Sequence, residues 1–157
     1  VTVERLDEIH PELLATLRDH PGIGFLLMRS QHHGAVVYGA DGTNYLDEGR
    51  IEGEDPLAPF GPNTAAHVKR TDGFAHCPDI VLNSTYWAET DEVAAFEELV
   101  GSHGGLGGTQ SYPFVLHPAD LQWPEDGIIG SEKIHYLFMD WLAELGQDQL
   151  ISSGSPG

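Results

Sequence analysis

Basic side chains are scarce in this sequence. Seven Lys and Arg stand against 25 Asp and Glu, a formal net charge of -18 over 157 residues. Such a surface repels nucleic acid and anionic membranes at long range, so nucleic-acid binding is set aside. It also repels a phosphate ester, unless a bound cation reverses the local field. Solubility accounts for most of the acidity. Cysteine occurs once, at Cys77, which excludes an intramolecular disulfide and is compatible with a reducing compartment. No run approaches the ~20 apolar residues of a membrane-spanning helix, and no signal-peptide pattern is visible. A Gly-x-Ser-x-Gly elbow, a P-loop and a dinucleotide-binding glycine pattern are all missing. There is no internal repeat. The chain begins Val1-Thr2-Val3-Glu4 rather than with Met. We read that as a processed product or a piece of something larger.

What is present is a globular composition, with 40% hydrophobic and 9% aromatic residues. The length fits one domain with a proper core, over residues 1–150. Ser152-Ser153-Gly154-Ser155-Pro156-Gly157 reads as a disordered tail, residues 151–157. Leu6, Ile9, Leu13, Leu14 and Leu17 form an apolar stripe that predicts helix over 3–19, with Pro11 starting a new segment. Strands are predicted at 23–29, 34–38, 43–46 and 50–53, with Asp41-Gly42 as a hairpin signal. The first third is thus a helix followed by an antiparallel meander. Residues 53–62, rich in Pro and Gly, make an ordered loop. A helix capped by Asn63 or Thr64 runs through Arg70. A strand is predicted over 79–83 and a loop over 84–87. Residues 91–99 are helical or extended, and 113–118 form a short strand or extended piece. Ile134, Leu137, Phe138, Trp141, Leu142 and Leu145 predict a helix over 131–145 capped by Ser131. The fold class is α/β or α+β, with a mixed sheet of roughly five or six strands and flanking helices.

Chemistry points to one stretch, Glu97-Glu98-Leu99-Val100-Gly101-Ser102-His103-Gly104-Gly105-Leu106-Gly107-Gly108. Glycine lets the backbone pass close to a ligand or to another segment. A loop of this kind can present the His103 imidazole to a metal ion or a phosphate. The bland alternative is a flexible loop with an incidental histidine. The other histidines carry less. His32 and His33 are adjacent and point to opposite faces if extended. His10, His20, His67 and His135 sit on helical surfaces or ends. His76 and Cys77 have no zinc-finger partner pair. His117 precedes Pro118 without a glycine context. Ser102 beside His103 is not a dyad by adjacency. The pairs Glu97-Glu98 and Asp91-Glu92 have the chemistry for acid–base work, but in so acidic a chain they read as a solvated face.

Together with Gly53-Glu54-Asp55-Pro56-Leu57, Asp79-Ile80-Val81-Leu82-Asn83-Ser84 and Pro113-Phe114, the glycine stretch resembles the C-terminal part of actinobacterial proteins of the alkaline phosphatase superfamily. These are related to nucleotide pyrophosphatase/phosphodiesterases and are often joined to a holin-like membrane segment. The resemblance covers most of residues 5–145. It implies a partial alkaline-phosphatase-like core with a mixed, largely parallel sheet and two divalent metals at one sheet edge. The metals would be zinc, or manganese, and would clamp the attacking and leaving oxygens of a phosphoryl transfer. It matches His103 to the late histidine ligand. The Asp-His-Gly ligand motif of the superfamily is not here, since Asp19-His20 is followed by Pro21, and neither is the early Asp with its nucleophile. A catalytic zinc takes about three protein ligands, so one histidine cannot hold two metals. The implied reading is a C-terminal piece of a metal-dependent phosphoesterase, silent by itself. Its partners would be the upstream part of the same polypeptide and a phosphate-ester substrate, with a membrane reached only through the parent protein. The alternative reading is a non-catalytic acidic binding domain.

Overall fold

A computed structural model describes residues 1–98 and 105–147. Two units gather by contact, Val1–Pro113 and a second beginning at Phe114. The predicted tail, residues 151–157, lies outside the described residues.

The first unit is built on β1 (Ile23–Ser30). Phe25, Leu26, Leu27 and Met28 are each at most 2% exposed. Alternation sends Phe25 and Leu27 to one face and Leu26 and Met28 to the other. A strand buried on both faces carries an unbroken apolar run, which is what this segment has. β2 (Gly34–Tyr38), β3 (Gly42–Tyr45) and β4 (Arg50–Gly53) follow as the predicted meander. β5 (Ile80–Ser84) returns to the far side of β1, giving the order β4-β3-β2-β1-β5. Every pairing among the described residues is antiparallel. The class is therefore α+β, one of the two classes expected, and the described sheet is antiparallel rather than mixed, because β2, β3 and β4 follow β1 through short turns.

α1 (Val3–Ile9) and α2 (Leu13–Arg18) are separated at His10-Pro11, where the sequence placed the break. They contact β1. Glu4 of α1 accepts hydrogen bonds from Ser30 Oγ (2.5 Å) and Gln31 N–H (3.0 Å), closing the β1–β2 turn. Arg18 of α2 lies over the Tyr38 ring. α3 (Thr64–Asp72) covers the opposite face, where Val68 joins Phe25, Leu27, Ala35, Val37, Leu57 and Phe60 in the main core. Asn63 makes no side-chain cap; Thr64 Oγ1 instead donates to the Phe60 carbonyl at 2.7 Å. The 84–87 loop and the ambiguous 91–99 segment contain a two-stranded ribbon, β6 (Tyr86–Trp87) with β7 (Glu92–Val93).

In the second unit α4 (Ser131–Glu144) starts after Gly130, so Ser131 is its first residue rather than its cap. Trp141 is buried, and its Nε1–H donates to the Gln122 carbonyl at 3.2 Å. His117 stacks on Trp123 (5.4 Å between centroids) and packs on Trp141 (5.1 Å). Of the two readings of 113–118, a short strand or an extended piece, the strand is not formed: no regular structure is assigned there. Phe114 and Leu116 are 91% and 92% exposed, so the short apolar run between the prolines is not a buried strand. No helix among the described residues is long and apolar enough to cross a membrane.

Candidate functional site

Asn83 connects β5 to the glycine stretch. It pairs with Phe25 across the β1–β5 ladder and is 8% exposed, an inward position where alternation calls for an apolar side chain. A buried amide is costly unless its donors and acceptor are used. Here they are used: Oδ1 accepts from Leu106 N–H at 2.8 Å, and Nδ2 donates to the carbonyls of Leu106 (3.3 Å) and Ser84 (3.0 Å). The amide takes both backbone groups of one residue, as a neighbouring strand would. It thereby fastens Leu106 to the end of an edge strand.

The residues after Leu106 are fixed from a second side. Asp91, in the β6–β7 turn, adopts φ 54°, a left-handed conformation that Asp tolerates better than most residues. Its carboxylate accepts from Thr109 N–H (3.3 Å), Thr109 Oγ1 (3.1 Å) and Tyr86 Oη (3.2 Å). Desolvation, helped by that carboxylate, holds the Tyr86 hydroxyl above the ordinary phenol range. Gly107 has φ +109°, and a Cβ there would lie 2.9 Å from Tyr86 Cβ and 3.0 Å from the Phe60 ring. Gly108 has φ +63°, and a Cβ there would lie 2.6 Å from Asp91 Oδ1. Close approach and left-handed backbone require both glycines. Gly107 N–H donates to Ser111 Oγ at 3.1 Å. The second half of the glycine stretch is thus a tightly packed, hydrogen-bonded turn.

Beside it a cavity of about 450 Å³ opens between β1, β5, α3 and the residues Val93, Phe96, Leu106 and Gln110. Phe25, Leu27, Val68, Val81 and Leu106 supply apolar wall, while His67 and Gln110 face the space with polar groups. The sequence assigned His67 to a helix surface. It missed Asn83 and Gln110 altogether; an Asn at an inward strand position was the signal available for the first.

His103, the candidate ligand, lies outside the described residues, as do Gly101, Ser102 and Gly104. Gly105 is the first described residue after them, next to Asn83: a Cβ on it would be 3.3 Å from Asn83 Oδ1. The other candidates are distributed. His32 and His33 occupy the β1–β2 turn, and both backbone N–H groups donate to Ser30 Oγ. His33 Nδ1 is 2.5 Å from Glu48 Oε1. That contact and Arg50 hold the Glu48 carboxyl below its usual range. His20 Nδ1 accepts from Gly22 N–H at 3.0 Å, a local cap. Glu97 and Glu98 are exposed, whereas Asp91 of the other carboxylate pair is committed to Thr109 and Tyr86. The buried charge is elsewhere: Asp72 receives two hydrogen bonds from the Arg29 guanidinium, at 2.9 and 2.8 Å. Lys69 bridges from Asp72 to Asp47, whose carboxyl is held low first by Lys69 and then by Ala35 N–H.

Among the described residues no group of three or more His, Cys, Asp or Glu is arranged to hold a metal ion. Those residues by themselves therefore do not make a two-metal centre. Comparison with family models, with curated proteins and with solved structures yields no match.

Proposed function

We propose that this chain is the C-terminal part of a metal-dependent phosphoesterase of the alkaline phosphatase superfamily, that His103 is a metal ligand in the intact protein, and that the chain alone is catalytically silent. The observation that carries the reading is the clamp of Asn83 on Leu106. It holds the exit of the glycine stretch, two residues after the Gly104 that follows His103, at the end of β5, an edge strand of the sheet. The superfamily that the sequence resembles keeps its metals at one sheet edge. A ligand there has to be held to a fraction of an ångström by surrounding hydrogen bonds, and Asn83, Asp91 and Tyr86 supply such a frame. When bound, divalent zinc or manganese would stabilise the attacking and leaving oxygens of the transferred phosphoryl group. A cation also answers the electrostatic objection, because a chain of net charge -18 otherwise repels a phosphate ester. The role of this chain's own residues is to orient one imidazole and to keep its loop from collapsing onto the site.

The test is hydrolysis of bis(4-nitrophenyl) phosphate, with zinc or manganese added, by the longest polypeptide the gene encodes. We expect turnover by that polypeptide, none by the 157-residue chain, and a loss of about 100-fold or more on His103→Ala. Full activity in the His103→Ala variant would overturn the assignment. No activity in the complete polypeptide would favour the acidic binding domain.

A further inference from the structure

The cavity between β1, β5 and α3 has a wall chemistry at odds with the rest of the molecule. In a chain of net charge -18, no Asp, Glu, Lys or Arg among the described residues lines it. Its volume of about 450 Å³ lies within the usual range for a small-molecule site. Two polar side chains reach it, the half-buried His67 imidazole and the exposed Gln110 amide, and among the described residues neither has a hydrogen bond within the protein. Of the other polar walls, Thr71 Oγ1 is committed to the His67 carbonyl at 3.1 Å and the Asn83 amide to Leu106 and Ser84, while the Ser84 hydroxyl adds a third polar group without a hydrogen bond among the described residues. A charged ligand would be desolvated there with nothing to pair it. An apolar body with one hydroxyl or carbonyl would bury its rings against Val81, Val93 and Leu106, which keep accessible surface there, and would take the place of water at His67 or Gln110.

We propose that this cavity is a binding site for an uncharged aromatic or apolar alcohol about the size of two fused rings. The proposal is independent of the metal reading, since it uses no metal and no residue of the 99–104 segment. The probe is 1-naphthol, titrated into the ¹⁵N-labelled 157-residue chain without metal and followed by amide shifts. A ligand of about eleven non-hydrogen atoms should bind with a Kd on the order of 0.1–1 mM. Shifts should centre on Val68, Val81, Val93 and Leu106. Val81→Trp, which fills the space, should weaken binding about tenfold or more. Gln110→Ala and His67→Ala should each weaken it about three- to tenfold. 1-Naphthyl phosphate, the same body with a charge, should bind at least about tenfold more weakly. If Val81→Trp does not give a folded spectrum, the double variant of His67 and Gln110 carries the test. No saturable shift, shifts centred elsewhere, unchanged binding in the folded variants, or a preference for the phosphate would each overturn the proposal. None of those outcomes bears on whether His103 binds a metal.

Discussion

Replacing Asn83 with Ala removes the clamp and leaves the fold's apolar core untouched. The amide makes three hydrogen bonds, two of them to Leu106 and one to Ser84. Leu106 is half-buried, so its N–H and carbonyl recover water only in part, whereas the Ser84 carbonyl at the strand end recovers it more readily. A hydrogen bond whose remaining partner finds water costs about 0.5–1.5 kcal/mol, and a partner left unsatisfied costs about 1–3 kcal/mol. The sum is about 2–4 kcal/mol, a large share of the ~5–15 kcal/mol that holds a domain together. Urea unfolding followed by far-UV circular dichroism reads the total. Amide hydrogen exchange separates the local part: Leu106 should lose protection beyond the global loss, while Val36 in the middle of the sheet should lose only the global share. Asn83→Asp should be worse than Ala at neutral pH. It keeps the acceptor but sets a buried carboxylate against two carbonyls, and its raised pKa should return stability as pH falls and the proton restores a donor. A loss under about 0.5 kcal/mol with Leu106 protection unchanged would refute the reasoning.

Three further outcomes follow from the same structure. Gly107→Ala forces a Cβ into Tyr86 and Phe60 at positive φ, and should cost about 1–3 kcal/mol by urea unfolding; a neutral result would mean the turn is not packed as described. Arg29→Met strands the Asp72 carboxylate, which is 4% exposed, with Lys69 3.6 Å away as its remaining ion-pair partner, and should cost about 2–3 kcal/mol, most of it recovered in the Arg29→Met, Asp72→Leu double variant. Burial pushes the Glu4 carboxyl up, but hydrogen bonds from Ser30, Gln31 and Thr2 outweigh it and bring its pKa down to about 2. A depressed carboxylate contributes stability above its ordinary value of 4.5 that is lost as pH falls toward 2. The gap in urea midpoint between the wild type and Glu4→Gln should therefore be full at neutral pH and close near pH 2, and a gap constant across that range would contradict it.

The parts of the fold that sequence rules reached are those with enough repeats of a period. β1 shows as an apolar run, β2 to β4 as short strands around Asp41-Gly42, and α4 as a stripe ending in Leu145. The α1–α2 break was legible because Pro11 has one cheap helical position. The β6–β7 ribbon was not, since two residues per strand are too few to show alternation. The run Phe114-Val115-Leu116 misled for the opposite reason: a short apolar run makes a strand only where it finds strands to pair with. At the candidate site the glycines stood out, but their reason did not. Gly107 and Gly108 are small because Tyr86, Phe60 and Asp91 press on them, contacts between segments some 17 to 47 residues apart. Asn83 and His67 read as ordinary polar residues, because burial is decided by the partners that a strand and a helix meet, not by their own sequence.

The role proposed for His103 rests finally on metal content. The complete gene product, loaded with zinc and desalted, should carry about two zinc ions per chain by mass spectrometry, and His103→Ala should lose about one of them while the far-UV circular dichroism stays the same. Equal zinc in the two proteins would contradict a metal-ligand role for His103, and would leave the glycine stretch as a packed turn with no part in phosphoryl transfer.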